Sequence, residues 1–163
     1  MLYVATKPRV LRKLQAEIDS VALSLGSGIV SDETARTLPY LSAVVKESLR
    51  IWPPAVDHAP RVVPLEGDEW NGVVLPGGTE LGWNAWGVMH DREVWGDDAD
   101  HFRPERWLDP VVDDDRRRDM DTVGEMVFGG GRFQCLGRSV ALVEIRKTLF
   151  EASVIPFRPS LSI

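Results

Sequence analysis

The single cysteine of the chain, Cys135, follows a glycine-rich stretch that reads Phe128-Gly129-Gly130-Gly131-Arg132-Phe133-Gln134-Cys135-Leu136-Gly137. Three consecutive glycines can adopt conformations closed to other residues, and they let the backbone come close to a flat ligand. A helix is predicted after Gly137, and its free N–H groups and positive dipole end would favour the thiolate of Cys135 over the thiol. Such a sulfur can serve as a nucleophile or as a metal ligand.

Three kinds of chemistry can use this sulfur. A nucleophilic cysteine needs a general base, and His58, His90 and His101 carry no recognisable nucleophile motif, so that option is open but unsupported. Zinc is less favoured, because there is no second cysteine and the histidine spacing matches no usual zinc pattern. An iron held mainly by a macrocycle needs one protein ligand, which agrees with one cysteine.

A second pair of chemically active side chains, Glu47 and Arg50, lies three residues apart, close enough to face each other across one helical turn. On a helical wheel the pair lies opposite the apolar stripe of its own helix. By itself this arrangement is typical of a solvated ion pair on the surface.

The elements that position these residues follow from periodicity and from the turn residues. Apolar residues at spacings of three and four predict a helix over residues 8 to 25, and a second helix that follows Pro39 and stops before Pro53. Alternation from Arg61 to about Trp83, with a hairpin turn at Asn71-Gly72, predicts a small, mostly antiparallel sheet. Residues 84 to 127 should be mostly irregular, packed by Trp86, Trp95, Phe102 and Trp107.

The cysteine stretch resembles the haem-thiolate loop of cytochromes P450, which has Phe, Gly three residues later, Cys four after that and Gly two further on. Phe128, Gly131, Cys135 and Gly137 stand at these positions, so the resemblance implies that they bind haem b and that Cys135 is the axial ligand of the iron. The sequence departs from the family at Phe133, where a basic residue is usual. The basic residue here is Arg132, which stands one position earlier. It is the candidate contact of this loop for a haem propionate.

Other segments resemble the same family in the same order. The helix with Glu47 and Arg50 is similar to the family's helix K, whose Glu-x-x-Arg forms a buried triad with an Arg of a later Pro-Glu-Arg segment, here Arg106. The resemblance also implies propionate contacts from Arg61 and His90, with a structural histidine as the alternative at position 90. Residues Val56 to Ala59 would lie near the substrate side of the haem.

The resemblance implies a mainly helical fold with a small antiparallel sheet, the C-terminal part of the P450 fold with helices J, K and L, over a partial domain of residues 1–163. In its complete form such a protein is a monooxygenase that uses O2, a small lipophilic organic substrate and electrons from an NADPH-dependent cytochrome P450 reductase. The motifs look most like those of fungal, membrane-anchored enzymes of the endoplasmic reticulum. The resemblance covers about residues 2 to 152 of the chain.

Compared with that family, the chain is expected to lack the membrane anchor, most of the substrate pocket and the long helix that delivers protons to oxygen. Residues 153 to 163 also do not continue as the family's closing hairpin. The alternative is therefore a truncated chain that binds haem without turnover or not at all, with apolar surface exposed.

The composition excludes some other classes. A formal net charge of -6 and a pI near 5.1 argue against nucleic-acid binding, which needs clustered Lys and Arg. The charged runs at residues 97–100 and 113–118 are interpreted as solvated loops. One cysteine excludes an intrachain disulfide. No apolar run reaches the roughly 18 residues that span a bilayer, so the chain is expected to be soluble or peripheral.

Overall fold

The computed structural model describes residues 2–25, 28–56 and 60–154, so residue 1 and residues 26–27, 57–59 and 155–163 lie outside it. The described helices are Leu2–Ala5 (α1), Pro8–Leu25 (α2), Asp32–Arg36 (α3), Pro39–Ile51 (α4), Ala85–Met89 (α5), Arg92–Trp95 (α6), Asp114–Glu125 (α7) and Arg138–Val154 (α8). The strands are Arg61–Val62 (β1), Asp68–Trp70 (β2), Val73–Leu75 (β3) and Glu80–Leu81 (β4). Three short 3-10 turns cover Pro104–Trp107, Met126–Phe128 and Gly131–Phe133.

The main core forms where α2, α4 and α8 pack together. The apolar side of α2 is fully buried at Val10, Leu14 and Ile18, as the three- and four-residue spacing predicts. Leu149 and Phe150 of α8 are buried in the same cluster. The predicted helices over residues 8 to 25 and after Gly137 are confirmed.

The N-terminus of α4 is held by α2. Pro39 occupies the first turn, where its missing N–H costs no hydrogen bond, and the residue before it provides no side-chain cap. The carboxylate of Glu17 instead accepts the backbone N–H groups of Tyr40 and Leu41, at 2.7 and 2.8 Å. This cap supplied by α2 joins the two helices at the end where α4 begins.

The strands are antiparallel, as predicted, but they form two separate two-stranded ladders, β1 with β4 and β2 with β3. The predicted hairpin turn at Asn71-Gly72 is confirmed, with φ of 48° and 77°. The mainly helical fold class with small antiparallel sheets is therefore confirmed.

The prediction for residues 84 to 127 is wrong in two respects. The run that begins at Asp113 is the start of α7, since the Asp113 side chain caps the helix by accepting the Arg116 N–H at 2.8 Å. Trp86 is 44% exposed, whereas Trp95 and Phe102 are buried as expected. Within the described residues, no helix combines the length and apolarity that a membrane span needs.

Candidate functional site

The carboxylate of Glu47 on α4 is fully buried and accepts five hydrogen bonds from protein donors. Its Oε1 accepts hydrogen bonds from Arg50 Nη2 at 2.9 Å and from Arg106 Nε at 3.1 Å. Its Oε2 accepts one from Arg50 Nε at 3.0 Å. The structure thus brings Glu47, Arg50 and Arg106 together in a buried cluster, unlike the solvated pair that the spacing of Glu47 and Arg50 alone favours.

Two further donors complete the shell of Glu47, and sequence reasoning missed both of them. The backbone N–H of Arg103 reaches Oε1 and the indole Nε1 of Trp107 reaches Oε2, each at 2.9 Å. Trp107 directly follows Arg106 in the motif, so its position in the sequence was the available signal. Five donors on one carboxylate satisfy its lone pairs from within the protein.

The remaining guanidinium N–H groups bind backbone carbonyls of the segment between α5 and the Pro104–Trp107 turn. Arg50 donates from Nη1 to the carbonyls of Met89 and Ala99, at 2.7 and 2.8 Å. Arg106 donates to the carbonyls of Trp95 and Asp98 and to the Asp98 carboxylate, at 2.8, 2.9 and 3.0 Å. The interpretation of residues 97–100 as a purely solvated loop is therefore wrong for Asp98. The cluster fixes an irregular segment to α4 by charge-assisted hydrogen bonds.

The loop that carries Cys135 is closed by its own backbone. The Cys135 N–H donates to the Phe128 carbonyl at 2.7 Å, and Gly129 turns the chain with φ of 71°. A Cβ atom at position 129 would lie 2.9 Å from the Phe133 carbonyl oxygen, so the loop closes only around a glycine. Cys135 is exposed at the entry to α8, as is the neighbouring Leu136.

A cleft of about 460 Å³ lies beside this loop. Its walls include the backbone of Gly129 and Gly130, the rings of Trp83 and Phe133, and the side chain of Arg61 on β1. Cys135 is not among the lining residues. An apolar cleft with glycine backbone along one wall can accept a flat ligand, because no Cβ atom stands between the ligand and the chain.

Two basic residues near this cleft contact the ring of Phe133. The guanidinium carbon of Arg61 lies 3.8 Å from the Phe133 ring centroid, and that of Arg132 lies 4.7 Å from it. Sequence reasoning treated Phe133 only as a departure from the usual basic residue. It did not anticipate that the ring would contact two arginines, one of them more than seventy positions away.

The other predicted residues lie elsewhere around the loop. Phe128 is buried, Gly131 has φ of 56°, and the Gly137 carbonyl accepts the Ala141 N–H at 2.9 Å in α8. His90 stacks on Trp86 at 4.1 Å and donates from Nδ1 to the Trp86 carbonyl at 2.9 Å, and it is not among the residues that line the cleft. In the segment predicted near a substrate, Val56 is exposed and residues 57–59 lie outside the described chain.

Comparisons with known proteins decide the family. A family model described as Cytochrome P450 matches residues 1–152. The chain belongs to the cytochrome P450 family. It is 44% identical over 153 residues to the cytochrome P450 monooxygenase ABA1 of Pyricularia oryzae, and 36% identical over 155 residues to aba1 of Botryotinia fuckeliana. It is 34% identical over 149 residues to the pisatin demethylase of Fusarium vanettenii.

These matches cover most of this chain but a small part of each relative. The shares are 93%, 93% and 91% of this P450 chain, and 30%, 30% and 27% of the respective relatives. The chain therefore spans about 30% of the length of the first two relatives. Members of the family carry iron protoporphyrin IX and take electrons from a reductase, as the resemblance implied.

The donors around the cysteine loop agree with a haem group. No cluster of three or more His, Cys, Asp or Glu side chains that could hold a metal ion occurs among the described residues. Cys135 therefore offers one exposed sulfur, which suits a metal whose other ligands come from a macrocycle. Within the same residues, no hydrogen bond joins this sulfur to His90 or His101, whereas His58 lies outside the described part. The described residues thus lend no support to a zinc site or a Cys–His nucleophile.

Proposed function

We propose that this chain forms the haem-binding part of a cytochrome P450 monooxygenase, with the sulfur of Cys135 as the axial ligand of the iron. The observation that carries the proposal is the exposed lone cysteine on a closed glycine loop beside an apolar cleft. Bound haem would supply the iron at which this family activates molecular oxygen. The partial domain that we propose covers residues 1–163, whereas the family match ends at residue 152.

Each group around the loop has a separate role in this proposal. Phe128, Gly131 and Gly137 shape the loop, and the Gly129 turn keeps its backbone free of side chains. Arg61 and Arg132 would bind the carboxylates of the haem, because guanidinium groups pair well with carboxylates. We assign His90 a third contact with a carboxylate through its Nε2, since its Nδ1 is already used by Trp86.

The buried triad of Glu47, Arg50 and Arg106 has a structural role in the proposal. Its hydrogen bonds hold the segment between Met89 and Trp107, which packs against α7 through Trp95 and Met120. The chain then passes from α7 through Met126–Phe128 into the cysteine loop. The triad would thus act on the haem site indirectly, by fixing the elements from which the loop starts.

The proposal extends to the partners of the complete protein. We infer a small lipophilic organic substrate, O2 and electrons from an NADPH-dependent cytochrome P450 reductase, at the endoplasmic reticulum membrane. The family membership and the relatives named as monooxygenases support this part. The acidic net charge of -6 agrees with the absence of nucleic acid from the proposed partners.

A spectroscopic experiment tests the ligand directly. The chain is titrated with haem, reduced and exposed to carbon monoxide, and we expect the Soret band of a thiolate-ligated iron. Cys135→Ala should lose this band, whereas the neighbouring exposed Gln134→Ala, our matched control, should keep it. A chain with an unchanged helical circular dichroism spectrum that gives no thiolate band, or a band that survives in Cys135→Ala, would contradict the proposal.

A further inference from the structure

Two residues of opposite charge stand at the two ends of the Cys135 loop. Glu125 is the last residue of α7 and Arg138 is the first residue of α8, so residues 126–137 lie between them. Arg138 donates from Nε to Oε2 of Glu125 at 2.9 Å, and its Nη2 lies 2.6 Å from the same oxygen. The pair therefore joins the two helices across the base of the loop.

Each of these charges has the unfavourable sign for the helix that carries it. The C-terminal end of a helix carries a partial negative charge and the N-terminal end carries a partial positive one. Glu125 lies at the C-terminal end of α7, whose last turn has no basic residue. Arg138 lies at the N-terminal end of α8, whose first turn has no acidic residue. The helix ends thus do not explain these two residues, whereas the ion pair across the loop does.

The guanidinium of Arg138 also contacts the loop itself. Its central carbon lies 5.6 Å from the centroid of the Phe128 ring, within the range of a cation–π contact. Phe128 is buried, and its carbonyl accepts the Cys135 N–H at 2.7 Å. Arg138 thus connects the end of α7 with the residue that holds the backbone of Cys135.

We propose that Glu125 and Arg138 are positioning residues that clamp the two ends of the Cys135 loop and keep its backbone closed. With the pair intact, the Phe128 carbonyl stays within reach of the Cys135 N–H, and the sulfur keeps its place at the entry to α8. The consequence for an iron ligand rests on the proposed function. The effect on the closure of the loop can be measured without haem.

Two simpler roles for these residues predict different signs. If each charge acted only on its own helix, Glu125→Gln and Arg138→Gln would each remove an unfavourable charge and stabilise the chain slightly. If both residues acted only through their charges near an anionic sulfur, the two substitutions would have opposite effects on that sulfur. A clamp predicts that both substitutions loosen the loop.

The first experiment measures hydrogen exchange of the Cys135 N–H by NMR, with the Leu14 N–H of the core helix α2 as the reference for global unfolding. We expect Glu125→Gln and Arg138→Gln each to speed Cys135 exchange about threefold, since a partly exposed ion pair has a modest effect. Arg118→Gln is the matched control, because Arg118 pairs with Asp115 within α7 and does not span the loop. It should leave the Cys135 exchange rate unchanged.

The double variant distinguishes one clamp from two independent charges. If the residues act together, Glu125→Gln combined with Arg138→Gln should speed Cys135 exchange by about the same threefold, whereas independent effects would multiply to about ninefold. Arg138→Lys keeps the charge and loses the fork of N–H donors, so its exchange rate should lie between those of Arg138→Gln and the unmodified chain.

A second experiment gives a spectroscopic readout at the iron. Each variant is titrated with haem, reduced and exposed to carbon monoxide. We expect Glu125→Gln and Arg138→Gln both to lower the share of the thiolate Soret band, although they change the local charge in opposite directions. Arg118→Gln should keep the share of the unmodified chain.

Three results would overturn the inference. They are unchanged or slower Cys135 exchange in the two single variants, a ninefold rise in the double variant, and changes of the thiolate band in opposite directions. Faster exchange of Leu14 with unchanged exchange of Cys135 belongs to the first of these, because the pair would then stabilise the fold without holding the loop. A folded chain with the expected exchange rates and no thiolate band would keep the clamp and overturn the proposed function.

Discussion

The buried cluster around Glu47 and the loop around Cys135 differ in exposure and in the hydrogen-bond partners of their polar groups. Glu47 is 0% exposed and its carboxylate accepts five hydrogen bonds from protein donors. In the loop, by contrast, Cys135 is exposed and its described hydrogen bonds are backbone bonds, in which its N–H donates to the Phe128 carbonyl and its carbonyl accepts from the Arg138 N–H. The first set is satisfied from within the chain, and the second faces outward.

This difference separates stability from binding. Breaking a buried, fully paired charge cluster leaves uncompensated charges in a low dielectric, so substitutions there should act on folding. Substitution of exposed loop side chains should leave the free energy of unfolding almost unchanged and should change the affinity for the ligand. The loop glycines are intermediate, because they affect the backbone conformation on which the exposed groups depend.

The largest effect is expected at Glu47. Glu47→Gln would remove the negative charge between Arg50 and Arg106 and turn an amide NH2 toward their donors. We expect the free energy of unfolding to fall by about 3–5 kcal/mol, as measured by urea denaturation followed by circular dichroism. The exposed Glu93→Gln serves as the matched control and should stay within about 0.5 kcal/mol of the unmodified chain.

A small effect at Glu47 would remove the basis of the comparison. If Glu47→Gln lost less than about 1 kcal/mol, the cluster would be no more important to folding than a surface ion pair. Should the variant fail to fold, Arg106→Lys provides a milder change. It keeps the charge, loses the fork of N–H donors and should be destabilised by less than Glu47→Gln.

The sequence predicted what local patterns determine. The Asn71-Gly72 turn and the start of α4 at Pro39 follow from backbone preferences of a few adjacent residues, and both were predicted. The helix α7 was missed because its run of Asp and Arg shows no apolar period, although Asp113 has the character of an N-cap. Helices defined by their caps are harder to see than helices defined by an apolar stripe.

Long-range contacts could not be derived from local patterns. The spacing of Glu47 and Arg50 alone favoured a solvated pair, and only the family resemblance pointed to Arg106, 59 positions beyond Glu47. The contacts of Asp98 with Arg106 and of Arg61 with Phe133 had no signal in the local sequence. They depend on how separate elements pack, which periodicity does not report.

A smaller effect is expected in the glycine loop. Gly129 has φ of 71°, and a Cβ there would meet the Phe133 carbonyl oxygen at 2.9 Å, so Gly129→Ala should destabilise the chain by about 1–2 kcal/mol. The matched control is the adjacent Gly130→Ala. Gly130 has φ of -152°, and a Cβ there would have no neighbouring atom within 4 Å, so this change should be neutral or slightly stabilising.

Urea denaturation and the rate at which a thiol reagent labels Cys135 measure the difference between the two glycine variants. Gly129→Ala should alter the labelling rate because the loop conformation changes, whereas Gly130→Ala should not. Equal unfolding free energies and equal labelling rates for the two variants would show that the positive φ at Gly129 does not determine the loop conformation. Substitutions in the loop would then affect ligand binding and not folding.

The smallest effect concerns Glu105, which neighbours Arg106 but faces α2 on the surface. Burial alone would raise the pKa of Glu105, yet hydrogen bonds from Arg9, Lys13 and Tyr40 outweigh it and lower this pKa to about 2. Because the folded pKa lies below the unfolded value, the stabilisation is present above about pH 4.5 and is lost as the pH falls toward 2. The group is partly exposed, so we expect the loss to stay below about 1 kcal/mol.

Unfolding free energies of the unmodified chain and of Glu105→Gln, measured from pH 6 to pH 2, test this expectation. The two curves should differ at pH 6 and converge as the pH falls below about 4, because the protonated Glu105 resembles Gln. Glu66→Gln, an exposed loop residue, should run parallel to the unmodified chain throughout. Curves for Glu105→Gln that stay parallel as well would mean that the ion pairs with Arg9 and Lys13 add nothing to folding. The Pro104–Trp107 turn would then be held by the buried triad and by the contacts of Trp107 with Glu47, Trp95 and Arg117.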